Sequence, residues 1–306
     1  MTAAAAAPRE VQLGEATIGG PFGATTGLLV GSIFYDGHSV VHDALAGTFD
    51  EARAAVLVER LDAARLRYGV QMALDVIAAS SMAMERYLEF LAPRTGVPLL
   101  INATEPEVRV AGLVAADRLG ILGRAVYASL TEDADDTELE ALAAHRPAAV
   151  MVLACDVTDP TPDGTCRMLD EVLLPKAASL GLGSPIVDVG VMDPPSIGLA
   201  LRSIEAVRAR YGYPVGCAFA NAFPQWSAVR AMGRPWTDLS LAAALVATRA
   251  AGADFLHFGI VERAPVAAHA AATAEVFYGY AAREVDGRTL PPEHPIRAMF
   301  RPVPRP

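Results

Sequence analysis

Short apolar runs of strand length alternate along this chain with longer Ala-, Leu-, Arg- and Glu-rich segments at helical period. The first run is Leu28–Phe34. The segment Asp50–Tyr68 after it carries an apolar stripe at Ala54, Leu57, Val58, Leu61 and Leu66. Gly69 stands where a helix often ends on glycine. The pattern then predicts strands at Met72–Val76, Pro98–Asn102, Arg124–Ser129, Ala148–Leu153, Pro185–Val189, Pro214–Ala218 and Asp254–Phe258. Between them it predicts helices over Met82–Leu91, Pro106–Leu119, Thr137–Ala144, Arg167–Leu180, Ser196–Tyr211 and Leu239–Ala251, with a last one over Ala267–Arg283. Strands that are apolar throughout, rather than on alternate residues, belong to a parallel sheet covered on its faces. Eight such units in series, with no linker between halves, predict a single-domain α/β protein, a (β/α)8 TIM barrel. The alternative is a doubly wound open sheet, which needs a glycine-rich turn after an early strand. The nearest candidate, Gly181-Leu182-Gly183, precedes a strand instead. Ahead of the first strand, Val11–Leu13 and Ala16–Ile18 flank Gly14-Glu15 and predict an N-terminal hairpin that plugs the lower mouth of the barrel. The division expected is a flexible tail over 1–10, the barrel over 11–285 and an extended C-terminal tail over 286–306.

Composition narrows the function classes. Apolar residues make up 53% of the chain and aromatics only 7%, so a large core is packed mainly by aliphatic side chains. The formal net charge of −10 argues against a phosphate-backbone binder, and no nucleic-acid partner is expected. Three cysteines, Cys155, Cys166 and Cys217, form no C-x-x-C pair and fit a reducing, cytoplasmic compartment. The longest uncharged stretches, Ile18–Tyr35 and Tyr211–Val229, are broken by glycine and proline, so no membrane association is expected. The N-terminus lacks the pattern of a signal peptide.

A (β/α)8 barrel carries its chemistry at the C-terminal ends of its strands. The polar residues there are Tyr35, Asp36 and His38, then Asp75, Asn102 with Glu105, Ser129, Asp156 with Asp159, Asp188, Asn221, and His257 with Glu262. Asp75 and Asp188 sit between apolar neighbours, where a carboxylate needs partners or has its pKa raised by desolvation. Each could equally cap the next helix or pair with an arginine. Two Asp and two Asn at four strand ends suit a heterocycle that offers N–H donors and carbonyl acceptors. No zinc-ligand spacing, nucleophile elbow or phosphate loop appears, and no metal site is expected. Cys217 lies inside a strand and reads as core, and His257 could be a satisfied core histidine. The stretch Phe219–Trp236 reads as a long loop.

Several of these segments carry a resemblance. Gly31-Ser32-Ile33-Phe34-Tyr35, Leu74-Asp75-Val76, Pro98–Asn102 with Ala103-Thr104, Pro185–Asp188, and Val215–Ala218 with Asn221-Ala222 resemble the H-subunit family of tetrahydromethanopterin S-methyltransferase. The similarity runs in order over about residues 10–285, and the last motif is the most specific. Bacterial members of that family look like methyl-corrinoid:tetrahydrofolate methyltransferases. The resemblance implies a pterin-binding barrel that moves a methyl group between N5 of tetrahydrofolate and the cobalt of a corrinoid. The cobalamin would ride on a separate corrinoid protein, since this chain has no D-x-H-x-x-G motif. It implies pterin contacts at Asp75 and Asp188, and an Asn221 amide near N5. Ser129 is a candidate for the pocket floor. The third-strand motif departs from the pattern, with Asn102 where the family has Asp and Glu105 where it has Asn or Ser, so both are kept as candidates. The resemblance further implies a homodimer, with Phe219–Trp236 as the docking or gating element. Two other readings stay open: a pterin barrel with dihydropteroate synthase-like chemistry, and a non-catalytic subunit of a corrinoid methyltransferase complex.

Overall fold

The computed structural model describes residues 5–300 of the chain. A hairpin of β1 (Glu10–Leu13) and β2 (Ala16–Gly19) precedes β3 (Leu28–Ile33). A second small hairpin, β4 (Val41–Asp43) and β5 (Thr48–Phe49), leads into α1 (Glu51–Tyr68). Then β6 (Gln71–Ile77), α2 (Ser81–Leu91), β7 (Leu99–Asn102), α3 (Pro106–Arg118), β8 (Ala125–Leu130), α4 (Asp136–His145) and β9 (Ala149–Leu153) alternate. They are followed by α5 (Pro162–Met168) and α6 (Leu174–Ser179), β10 (Ile186–Asp188), α7 (Ile197–Tyr211) and β11 (Val215–Cys217). The chain ends through α8 (Ser227–Ala231), α9 (Arg234–Ala250), β12 (Phe255–Ile260), α10 (Ala264–Glu284) and α11 (Pro295–Ala298). β3 and β6–β12 form a closed parallel barrel, and β12 pairs back onto β3. The predicted fold class is therefore the observed one, hairpin included.

Local chemistry sets the element ends. The Asp50 side chain accepts a hydrogen bond from the Arg53 N–H at the start of α1, and Gly69 closes that helix at φ 67°. Side chains alternate between the two faces of each strand. Leu29, Ile33, Leu74, Val76, Ile101, Val187 and Leu256 pack outward against the helices. Leu28, Val30, Ala73, Leu100, Val126, Met151, Ile186 and Phe255 fill the barrel interior, where Leu13, Ala16 and Ile18 of the hairpin join them as its floor. Gly216 makes room in that layer: a Cβ there would lie 2.1 Å from the Phe255 carbonyl oxygen and 2.7 Å from its ring. Gly216→Ala is expected to cost about 1–3 kcal/mol through overpacking, read as a lower urea midpoint at unchanged slope.

Four expectations need correction. Leu66 is exposed rather than part of the α1 stripe, because it sits well off the face of Leu57, Leu61 and Ala64. The predicted helix over 167–180 begins at Pro162, capped by the Thr161 side chain, and passes through a π-helical turn at Leu169–Leu173. The stretch 219–236 is not an open loop but a 3-10 segment (Phe219–Gln225) followed by α8 and the start of α9. The expected tails are partly docked. The Ala6 and Arg9 amides donate to Ala209 and Gly212, and Glu10 already belongs to β1. Past α10, the chain forms α11 instead of staying extended, with His294 buried beside Gly279. Residues 1–4 and 301–306 lie outside the described residues.

Candidate active site at the barrel mouth

Strand parity places the site. Val30, Ala73, Leu100, Ile186 and Phe255 point into the barrel. Two residues further along the same strands come Ser32, Asp75, Asn102, Asp188 and His257, which share that inner face at the C-terminal end. Asp75 is the hub. Its Oδ1 accepts from the Asn102 amide at 2.9 Å. Its Oδ2 accepts from the Ser32 hydroxyl at 3.1 Å and from His257 Nε2 at 2.9 Å. Ser32 Oγ is also 3.1 Å from His257 Nε2, so these three side chains from β3, β6 and β12 form one buried cluster. Donation from Nε2 requires the ring hydrogen there, and the buried Nδ1 has no partner among the described residues.

Asp188 is buried too, and among the described residues its carboxyl accepts one hydrogen bond, from the Gly190 amide to Oδ1 at 2.8 Å. Burial pushes its carboxyl up to about 6; the negative charge of Asp75 adds to the rise, while the Gly190 N–H and His257 oppose it. Nearby, burial first and Asp188 second push the Cys155 and Cys217 thiols up, which disfavours the thiolate in both. Carboxylates, an amide and an imidazole thus converge on a mouth with no activated nucleophile. Such a site can bind and orient a ring that carries N–H donors.

With that geometry in hand, comparison places the chain among known proteins. The model of the tetrahydromethanopterin S-methyltransferase MtrH subunit family matches residues 9–288. The chain belongs to this family. The H-subunit of the Methanothermobacter thermautotrophicus enzyme is 33% identical over 291 residues, which cover 91% of this chain and 93% of that protein. Its counterpart from Methanothermobacter marburgensis is 32% identical over the same shares. Among solved structures, dihydropteroate synthase from Thermus thermophilus superposes with a TM-score of 0.59 at 19% identity, covering 89% of this chain and all of that one. The Yersinia pestis enzyme, solved with a pterine–sulfa conjugate, reaches 0.62 at 12% identity, covering 89% and 99%. At those identities the likeness is one of fold. The MtrH family is thus a family of methyltransferase subunits, and this member of it is built on a TIM barrel.

The relatives' name corrects the expected partners. Each is a subunit, one lettered component of a larger methyltransferase, so the expectation of a homodimer with no membrane association does not stand. Among the described residues no helix of this MtrH-family chain is long and apolar enough to cross a membrane, which does not exclude an assembly at one.

The remaining predicted site residues are sorted by the fold. Asn102, not Glu105, joins the buried cluster; Glu105 is exposed at the N-terminus of α3. Ser129 is half-buried on β8, where the register to β9 shifts. Asn221 lies on the rim, one turn past β11, exposed and with no side-chain hydrogen bond among the described residues. Asp156 and Asp159 are turn residues that share Arg167. His38 bonds Glu262 at 3.1 Å and ties the β3 end to the β12 end. Burial of Glu262 opposes its ionisation, but the bonds from His38 and Ser39 hold its carboxyl below the usual range. Sequence reasoning misses Ser32 and leaves His257 between a strand-end site residue and a core histidine, although each lies two residues beyond an inward-facing neighbour.

Proposed function

We propose that this chain catalyses methyl transfer between N5 of a tetrahydropterin and the cobalt of a corrinoid carried by a separate protein. The observation that carries the reading is the convergence of Asp75, Asn102 and Asp188 on the inner face of the barrel mouth in a member of a methyltransferase-subunit family. Asp75 and Asp188 are the proposed acceptors for the N3–H and 2-amino donors of the pterin; Asp188, with one hydrogen bond on its carboxyl, has room to take both in parallel, and Asp75 has one acceptor direction left. Ser129 is proposed at the pocket floor. Asn221, exposed on the rim, is proposed to place its amide beside N5, where it faces the incoming corrinoid.

In the direction toward the pterin, the N5 lone pair attacks the methyl carbon in line. The cobalt–carbon bond pair stays on cobalt, which leaves as Co(I), and the N5 hydrogen departs as a proton. The protein's part is to hold N5 and the methyl group in line and to place a polar group where charge changes at N5. Exposed Trp226, at the end of the 3-10 segment that holds Asn221, and exposed Trp236, in the first turn of α9, are proposed to dock the corrinoid protein. The relatives' name points to tetrahydromethanopterin and the resemblance to bacterial members points to tetrahydrofolate, so both belong in the test. With methylcob(III)alamin as donor, free or on a corrinoid protein, the N5-methyl pterin is expected from at least one of them. Asn221→Ala is expected to slow transfer by about 10–100-fold with a smaller change in pterin affinity. Absence of turnover with both pterins and both forms of the donor would sink the reading.

A further inference from the structure

We propose that His257 is a positioning residue that orients Asp75, and through it the Asn102 amide, by a hydrogen bond at the barrel mouth. The inference rests on distances. His257 Nε2 is 2.9 Å from Asp75 Oδ2 and 3.1 Å from Ser32 Oγ, while Asn102 holds Oδ1 at 2.9 Å. A carboxylate offers about four acceptor directions, and three are engaged here. The plane of Asp75 and the direction of the Asn102 amide are therefore set by β3 and β12 before any ligand arrives. His257 is itself only 6% exposed, and its Nδ1 has no partner among the described residues, so Asp75 and Ser32 alone orient the ring. A buried donor without these acceptors would turn or draw in water, and Asp75 would turn with it.

This inference deepens the pterin reading, and two variants test it. His257→Gln keeps an N–H donor long enough to reach Asp75; His257→Ala removes it. With tetrahydrofolate or tetrahydromethanopterin, titrated by calorimetry at pH 8, His257→Ala is expected to bind at least tenfold more weakly and His257→Gln within about threefold of the parent. A measurement on the ligand-free protein stands apart from the pterin reading. The Asn102 side-chain amide resonances, followed by NMR, are expected to move in His257→Ala and to stay near the parent's in His257→Gln. A merely structural histidine would lower folded yield in both variants without moving those resonances in the folded fraction. Equal pterin affinity in parent and His257→Ala, or unmoved Asn102 resonances in that variant, would overturn the inference. If the parent binds neither pterin while the Asn102 resonances still move, the pterin reading fails and the positioning role survives.

Discussion

Asp188→Asn is expected to bind a tetrahydropterin at least a hundredfold more weakly than the parent and yet to unfold at a higher temperature. The two effects have one cause. Asp188 is buried, and its carboxyl rests near 6 instead of the ordinary 3.8, so the fold holds the charged form against its preference. A group whose pKa is raised on folding contributes stability at low pH that is lost as the pH rises through the folded value. For Asp188 the loss runs from about pH 4 to pH 6, and above pH 6 the full cost is present. A rise of about two units corresponds to roughly 3 kcal/mol. Asparagine is neutral at every pH and its amide oxygen can still accept from the Gly190 N–H, so most of that cost disappears at pH 7. A gain of a few degrees in Tm is expected at pH 7, shrinking to nothing near pH 4. The ligand side moves the other way. A carboxylate that accepts two N–H donors makes charge-assisted bonds of about 1.5–3 kcal/mol each, and an amide must turn one of its own N–H groups toward a donor. Thermal unfolding at pH 4 and 7, with calorimetry on the same samples, reads both. A variant with unchanged Tm and lost binding would show that burial of this carboxylate costs little and that Asp188 is only a ligand contact.

The barrel was legible because its strands announce themselves. Runs such as Ala149–Leu153, apolar on both faces, occur where a sheet is covered inside and out, and each was followed by a helix of ordinary length. What the pattern misjudged were places where tertiary contacts override local signals. Thr161-Pro162 is a helix start, but Gly164 within the first turn obscured it; the fold needs a glycine there because a Cβ would meet the Asp159 carbonyl oxygen at 1.9 Å. Phe219–Trp236 contains Pro224 and Gly233 and reads as loop, yet it folds into short helical pieces against β12. The site was legible by type more than by membership. Asp75, Asn102 and Asp188 stood out as polar groups in apolar runs. Ser32 needed a further step, the count of two from Val30, which fixes the face of the strand; the same count from Phe255 moves His257, named at its strand end but open to a core reading, onto the site face. Glu105 shows the limit of motif matching. Three residues beyond Asn102 it has left the strand, and its side chain faces solvent.

The largest loss of stability with no loss of pterin binding is expected at the opposite end of the barrel, in Arg249→Met. Arg249 and Glu275 are both buried, and they join α9 to α10 where β12 meets β3 and the barrel closes. The guanidinium donates to Glu275 Oε1 at 2.6 Å, to the Ala253 carbonyl at 2.7 Å and to the Thr25 carbonyl at 2.9 Å. Glu275 Oε1 also accepts from the Gly27 amide at 2.9 Å, just ahead of β3. A buried ion pair is weak evidence for stability in itself, since the attraction is set against the desolvation of both charges. Removing one partner is a different matter, because it strands the other charge. Methionine can fill much of the space of the arginine stem but leaves the Glu275 carboxylate with a single backbone donor, at an expected cost of about 3–5 kcal/mol. The double variant Arg249→Met with Glu275→Leu removes both charges and is expected to recover most of that loss, apart from the unpaired carbonyls of Thr25 and Ala253. Urea unfolding of the parent, both singles and the double gives the coupling between the two sites directly. Calorimetry on the folded singles should return the parent's pterin affinity, since conserving the fold at the N-terminal face and recognising the ligand at the C-terminal face are separate tasks in this architecture. A cost below about 1 kcal/mol for Arg249→Met would mean that water reaches Glu275 once the arginine is gone, and that the seam is closed by the packing of α9 on α10 rather than by the pair.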